Sequence, residues 1–265
     1  MTDRPGQARL VLVHGTRMSA RQWAPYPALL PDAEVVSVDL PGHGTRTDEP
    51  FTLEGALATI GAAVGGRAPG RPVVLAGHSL GGYLCSLYAA AHPDALDALV
   101  LIGATADPAN RLAVVYRAFA RVLPYLGADR MGRVANRVVR LLGVRGGAAD
   151  ALPDGTSYAA LPAAWEAVME HCGPDLLQGV RCPVYLVNGQ FDQMRLDVAR
   201  YAAACAAPHV VTIPRATHFV PLTHPEAVAE VLVTVVRDAV TGAAGTGPSP
   251  APPRSDPGAP PTMGE

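Results

Sequence analysis

Six short apolar runs rich in β-branched residues recur along the chain, and they constrain the fold more than any other feature. They are residues 9–15, 34–40, 71–78, 96–104, 182–189 and 209–215. Runs this continuously apolar are typical of strands covered on both faces, and such strands belong to parallel sheets with crossover helices. The sequence therefore predicts an α/β fold with a mostly parallel sheet of about six strands.

The spacing of these runs predicts how the chain is divided. About 75 residues separate the fourth run from the fifth, and they include several stretches with apolar residues three or four positions apart. We therefore expect a helical cap over 106–178, inserted into a core formed by 1–105 and 179–241. The segment 242–265 contains seven prolines and lacks an apolar period, so it is expected to be a disordered tail.

Charge and composition narrow the class of partner. The 21 basic and 23 acidic residues nearly cancel, which argues against nucleic acid and favours a small-molecule substrate. The N-terminal residues lack the apolar core of a secretory signal and no run of about 18 apolar residues follows, so we expect a cytoplasmic protein without membrane association. The four cysteines are widely spaced and match no zinc or disulfide pattern.

A serine lies between two glycines where the third run gives way to a predicted helix over 80–91. Residues 77–81 (GHSLG) match G-x-S-x-G, a pattern whose serine is a nucleophile when it is projected from a tight strand-to-helix turn. The glycines are needed because side chains beside Ser79 would collide with neighbouring backbone. The turn also directs the N–H of Leu80 toward an oxyanion formed on a bound carbonyl. A glycine turn with an incidental serine is the alternative.

The serine needs partners, because an unassisted hydroxyl is a weak nucleophile that requires a histidine base and an orienting carboxylate. These partners are expected on loops that follow later strands. His218 comes after the sixth run and Asp192 after the fifth. Asp107, after the fourth run, is the alternative acid. The other histidines either precede Ser79 or lack support from a motif.

Two glycine-rich loops lie upstream of the serine. Residues 14–16 (HGT) follow the first run, and the backbone N–H of Thr16 is the expected second oxyanion donor. Loss of one such donor typically costs about 3 kcal/mol of transition-state stabilisation. Residues 39–46 (DLPGHGTR) follow the second run, and we expect their role to be structural.

Five motifs together resemble those of the α/β-hydrolase superfamily over residues 8–240. They are HGT at 14–16, DLPGHG at 39–44, GHSLGG at 77–82, NGQFD at 188–192 and THFVPLTHPEAV at 217–228. The resemblance implies a nucleophile, its base, the partner of that base and two oxyanion N–H donors. In that order they are Ser79, His218, Asp192, and the backbone of Thr16 and Leu80.

The start of the chain suggests a branch of that superfamily. Only about eight residues precede the first run, so the N-terminal hairpin of many members is expected to be absent. This start and the cap are similar to the methylesterase and hydroxynitrile-lyase branch. Hydroxynitrile lyases of that branch use a lysine near the active site, and this chain has no lysine, so that activity is not expected.

These features predict a serine hydrolase that cleaves a carboxylic ester, lactone or thioester of a small apolar substrate through an acyl-enzyme. Neither a metal nor an organic cofactor is expected. Epoxide and haloalkane hydrolysis on this fold are disfavoured, because they need an aspartate at the position of Ser79. The alternatives are a non-hydrolytic or C–C bond-cleaving enzyme, such as a lyase or cyclase, that uses the same residues, and a ligand-binding module without turnover.

The predicted cap is rich in arginine. Residues 110–145 contain eight arginines and a single acidic residue, Asp129. Four of the arginines share one predicted helical face: Arg130, Arg133, Arg137 and Arg140. A solvated face is one explanation, and docking of an acidic partner, such as an acyl carrier protein that delivers a thioester, is the other.

Overall fold

The structure is a computed structural model that describes residues 7–66, 68, 70–109, 136–137, 140–141, 144, 152 and 159–245. Six strands lie within these ranges. They are β1 (Ala8–Val13), β2 (Ala33–Val38), β3 (Val73–His78), β4 (Ala98–Ile102), β5 (Val184–Gly189) and β6 (Pro208–Ile213). All six predicted strands are confirmed, each within about two residues of its expected bounds.

The helices alternate with the strands. In chain order they are α1 (Tyr26–Leu29), α2 (Leu53–Val64), α3 (Leu80–Ala91), α4 (Leu161–His171), α5 (Val198–Ala204), α6 (Val220–Thr223) and α7 (Pro225–Gly245). Short 3₁₀ turns occupy Ala20–Trp23, Gly44–Arg46, Pro174–Gly179 and Gln193–Arg195.

The strands form one parallel sheet in the order β2-β1-β3-β4-β5-β6. In a parallel sheet the carboxyl ends of all strands meet at one edge, so the loops that follow β1, β3, β5 and β6 lie at the same edge. The chain order reverses between β1 and β3, where residue Val13 is paired with Gly77. Such a reversal is where α/β sheets commonly form their binding crevice.

Helices cover both faces of the central strands. Leu75 and Leu101 are fully buried in the layer packed under α2, α3, α4 and α5. Their neighbours Val74 and Val100 are fully buried on the opposite face, under α1 and α7. This double cover explains why the central runs are continuously apolar rather than alternating.

The two outer strands depart from the expected double cover. In β6, Val210 is 54% exposed, and every residue before Ile213 is at least partly exposed. In β2 only Val38 is buried. An edge strand has one neighbouring strand instead of two, and the helical layers cover it less completely, so an apolar run there does not imply burial.

The longest described part of the predicted cap is α4 with the turn that follows it; 106–109, 136–137, 140–141, 144 and 152 are also described. Ala164 of α4 is fully buried in the same layer as α3, so this end of the segment packs on the core. Most of 110–158 lies outside the described residues, and a separate cap stays a prediction. Helix α7 extends to Gly245, past the expected start of the tail, and residues 246–265 lie outside the described ranges.

Two further observations concern the described residues as a set. None of their helices is both long and apolar enough to cross a membrane. All four cysteines of the chain are free thiols.

Candidate active site

Ser79 occupies the turn between β3 and α3 with a strained backbone. Its φ is +52° and its ψ is −117°, in the region that favours glycine. The turn can close tightly because Gly77 has no side chain. A Cβ at this position would lie 2.3 Å from the carbonyl oxygen of Gly81. The N–H of Ser79 donates to the carbonyl of Ile102 on β4 at 2.8 Å, which ties the turn to the sheet. A strained residue held this firmly is typical of a functional position.

A hydrogen-bonded chain joins the three predicted side chains. Ser79 Oγ lies 3.0 Å from His218 Nε2, and His218 Nδ1 lies 3.0 Å from Asp192 Oδ1. Because a carboxylate only accepts, the ring proton of a neutral His218 is on Nδ1, and Nε2 is free to accept from the serine hydroxyl. The His218 side chain is 13% exposed and the Asp192 side chain is fully buried. The structure thus brings these residues together in the order that proton transfer from serine requires.

The carboxylate is held in its ionised form. Burial favours the neutral acid, but the hydrogen bond from His218 and the N–H of Met194 at 2.7 Å favour the charge, and the pKa of Asp192 is lowered on balance. Oδ2 of Asp192 has no hydrogen-bond partner among the described residues. The ionised group can therefore orient the histidine and stabilise its protonated form.

The alternative acid is engaged elsewhere. Asp107 Oδ2 lies 2.5 Å from Arg200 Nη1 on α5, and its other oxygen accepts the N–H of Ala109 at 2.8 Å. These contacts hold Asp107 against α5 and leave the contact with His218 to Asp192.

The expected oxyanion donors lie on both sides of the serine. Leu80 is the first residue of α3, where N–H groups lack intrahelical acceptors. A Cβ placed on Gly15 would lie 3.4 Å from the Cβ of Ser79, so the loop after β1 abuts the nucleophile. Thr16 is the next residue of that loop. The arrangement places both backbone segments beside Ser79, and the oxyanion role of their N–H groups stays a prediction.

Gly103 belongs to the site, although sequence reasoning missed it. It follows β4 with a φ of +58°, and a Cβ there would lie 2.9 Å from Asp192 Oδ2 and 3.0 Å from His218 Nδ1. Only a residue without a side chain leaves room for this histidine–carboxylate pair. The available signal was the glycine at the end of the fourth apolar run, where the loop must pass close to the site.

The loop after β2 has the structural role that was expected. The Asp39 carboxylate accepts from the N–H groups of Ala20 at 2.7 Å and Thr45 at 2.9 Å. The N–H of Leu40 donates to Nε2 of His14 at 3.1 Å. These bonds fasten the second loop to the segment that follows β1, which includes the expected oxyanion donor.

An apolar cluster joins the segments that follow β1 and β6. It comprises Met18, Val144 and Leu222, with Leu152 and Phe219 packed against it. Met18 follows the loop after β1 and Phe219 follows His218, whereas Val144 and Leu152 come from the segment predicted as the cap. The inserted segment therefore contacts the core where the loops after β1 and β6 approach each other.

The arginines of the predicted cap are only partly described. Arg137 and Arg140 are exposed, whereas Arg130 and Arg133 lie outside the described residues. Docking of an acidic carrier protein on this face stays a prediction. Within the described ranges, no three His, Cys, Asp or Glu side chains are grouped so that they could hold a metal ion.

Comparison with known proteins places this site in a family context. The sequence model of the Alpha/beta hydrolase family matches residues 10–231. Lipase LipV of Mycobacterium tuberculosis is 36% identical over 108 residues, which are 40% of this chain and 40% of that protein. The chain thus spans about two-fifths of the length of this curated relative.

Solved structures show the same architecture. A thermophilic esterase from Thermogutta terrifontis, with malate bound, has a TM-score of 0.66 at 25% identity over 88% of this chain and 90% of its own. MenH from S. aureus has a TM-score of 0.73 at 16% identity, over 90% of this chain and 96% of its own, and that likeness shows the fold alone. The family model covers most of the chain and the folds agree, so the chain belongs to the alpha/beta hydrolase family.

Proposed function

We propose that this hydrolase cleaves a carboxylic ester, lactone or thioester of a small apolar substrate through an acyl-enzyme on Ser79. The observation that carries the proposal is the continuous hydrogen-bonded chain from Ser79 Oγ through His218 to Asp192. The lipase and the esterase among its relatives are consistent with ester chemistry.

Acylation begins when Ser79 Oγ attacks the substrate carbonyl carbon and transfers its proton to Nε2 of His218. The negative charge that develops on the carbonyl oxygen is met by the N–H groups of Leu80 and Thr16. The bond to the leaving oxygen or sulfur then breaks, and the leaving group takes the proton from Nε2. Asp192 fixes the ring orientation and stabilises the imidazolium during this transfer.

Deacylation repeats the steps with water. His218 Nε2 removes a proton from the water as its oxygen attacks the acyl carbon, and the same proton returns to Ser79 Oγ when the acid leaves. One oxygen of the product acid therefore comes from water and the other from the substrate carbonyl, and the enzyme is regenerated with water as the only second reactant.

The surroundings of the site support an apolar substrate. Phe219 follows His218, and the centroids of the two rings are 5.7 Å apart. Its ring is partly exposed, whereas Met18, Val144 and Leu222 of the apolar cluster on which it packs are buried and out of reach of a substrate. Apolar surface next to the reacting centre stabilises an apolar group that is removed from water, by about 25 cal/mol per Å².

The alternatives are less well supported. A lyase or cyclase that uses the same residues is not favoured, because the relatives include a lipase and an esterase. A binding module without turnover would have no need for the strained Ser79 backbone and its aligned hydrogen bonds.

Hydrolysis of p-nitrophenyl esters of increasing acyl length, together with the matching acyl thioesters, tests the proposal. We expect the wild-type protein to turn over short to medium chains, and Ser79→Ala to reduce turnover by about a millionfold. His209→Ala is the control, because His209 is exposed on β6 and stacks on Tyr185. Wild-type rates no higher than those of Ser79→Ala would reject the proposal.

A further inference from the structure

The side chain of His78, next to the nucleophile, contacts the loop that carries His218. His78 ends β3 and is buried. Its Nε2 lies 2.9 Å from the backbone carbonyl oxygen of His218, and the two ring centroids are 4.9 Å apart. The His78 side chain therefore links the turn that carries Ser79 to the backbone of His218 through a hydrogen bond.

The proton on the His78 ring can be placed from its partner. A carbonyl oxygen only accepts, so Nε2 must carry a proton and donate it. Burial, with the nearby His218 in the same direction, lowers the pKa of His78 to about 3, so the ring is neutral near pH 7. A neutral ring has a single N–H, so Nδ1 carries no proton and can only accept a hydrogen bond.

A buried glutamine lies between this ring and the loop after β1. Gln22 Oε1 accepts the N–H of Gly15 at 3.1 Å. The same oxygen lies 3.3 Å from Nδ1 of His78, and because neither atom carries a proton, that approach is a contact and not a hydrogen bond. Among the described residues Gln22 Nε2 has no partner. Turned the other way, the amide would donate Nε2–H to His78 but leave the Gly15 N–H without an acceptor. One amide thus lies between the oxyanion loop and the ring that holds His218.

We propose that His78 and Gln22 are positioning residues, which fix the loops of the base and of the oxyanion donor relative to Ser79. This inference rests on the proposed serine hydrolase function. His78 donates to the backbone carbonyl of His218, and Gln22 accepts the N–H of Gly15, which lies one peptide unit before the N–H of Thr16. Both side chains hydrogen-bond to backbone groups and not to Ser79 Oγ or His218 Nε2. A displacement of about 1 Å at the reacting atoms can nevertheless cost about a hundredfold in rate.

The test follows the reaction of an alkyl fluorophosphonate with Ser79 at 25 °C over a range of probe concentrations. It yields the maximal rate of modification and the probe concentration that gives half of that rate. In His78→Leu and Gln22→Met we expect the maximal rate to fall by about tenfold or more, with the half-saturating concentration nearly unchanged. His78→Gln should recover most of the lost rate, since its amide N–H can reach the same carbonyl. Hydrolysis of a short ester should show the same division between kcat and KM.

Tyr26→Phe is the matched control, because Tyr26 is buried and its hydroxyl donates to the backbone carbonyl of Pro221 at 3.1 Å. It loses one buried hydrogen bond to the same segment without touching His78. Thermal denaturation accompanies each rate, so that a loss of folded protein is counted separately. If His78→Leu fails to fold, Gln22→Met and His78→Gln decide.

The outcomes are distinct. Reaction of folded His78→Leu and Gln22→Met at the rate of Tyr26→Phe would overturn the inference while the proposed function stands. A His78→Gln variant as slow as His78→Leu would overturn the assignment of the hydrogen bond to His218. Absence of reaction in the wild-type protein would reject the proposed function, and the inference with it.

Discussion

At the scale of single residues, the site depends on where side chains are missing as much as on where they are present. Gly103 adopts a φ of +58° directly beside the His218–Asp192 pair. Gly77 allows the turn at Ser79 to close against α3. In both places an added Cβ would lie closer to another atom than Cβ atoms do in real structures. The positions of Ser79, His218 and Asp192 therefore depend on glycine at these two sites.

Gly103→Ala tests this at one position. We expect the new Cβ to displace the histidine or the carboxylate and to lower the maximal rate of reaction at Ser79 by about tenfold or more. The left-handed backbone should also cost about 1–2 kcal/mol of stability. Gly70→Ala is the matched control, because Gly70 has a φ of +73° but nothing within 4 Å of an added Cβ. Equal rates in the two variants would mean that Gly103 only provides backbone freedom.

At the scale of elements, loops that follow three of the parallel strands place the site residues at one edge of the sheet. The turn after β3 presents Ser79, the loop after β5 presents Asp192 and the loop after β6 presents His218. The loop after β4 carries Asp107, which pairs instead with Arg200 of α5. We therefore propose that the acid is Asp192 after β5 rather than Asp107 after β4.

Two substitutions distinguish these strands. Asp192→Asn should leave the fold intact but reduce ester turnover by about ten-thousandfold, because the amide holds the histidine in the wrong tautomer. Asp107→Asn should change turnover little and reduce stability by about 1 kcal/mol, through weakened contact with the exposed Arg200. Steady-state kinetics and urea denaturation of both variants make the comparison. A larger activity loss in Asp107→Asn would reverse the assignment.

Part of this arrangement could be predicted from sequence and part could not. The strands, Ser79, Asp192 and His218 were accessible because apolar period and the order of loops constrain them locally. The exposure of Val210, the space left by Gly103 and the contact of Gln22 with Gly15 depend on which segments meet in three dimensions. The neighbours of Gly103 come from distant parts of the chain, and the contact of Gln22 with Gly15, although it spans only seven positions, follows neither an apolar period nor a motif spacing.

At the scale of the whole molecule, buried histidines couple folding to pH. Burial lowers the pKa of His14 and of His78 to about 3 and lowers that of His43. In the unfolded chain histidine titrates near pH 6.5, so below that pH the unfolded state binds more protons than the folded state. Stability should therefore fall as the pH decreases from about 6.5, by up to about 1.4 kcal/mol per pH unit for each such histidine.

Urea denaturation between pH 7 and pH 5 measures this dependence. Carboxyl groups of the unfolded chain titrate near pH 4, so they contribute little in this window. His78→Gln should make the free energy of unfolding less dependent on pH, by up to about 1.4 kcal/mol per pH unit, because one buried histidine is removed. A free energy of unfolding that stays constant from pH 7 to pH 5 would mean that these histidines take up protons in the folded state as readily as in the unfolded chain.

The proposed mechanism requires Ser79 to be a nucleophile that His218 activates. The most direct measurement is reaction of the protein with a fluorophosphonate, followed by peptide mass spectrometry to locate the adduct in the wild type, Ser79→Ala and His218→Ala. We predict a single adduct on Ser79 of the wild type, formed with loss of fluoride, and none in either folded variant. An unmodified wild type, or an adduct that persists in Ser79→Ala, would contradict the account.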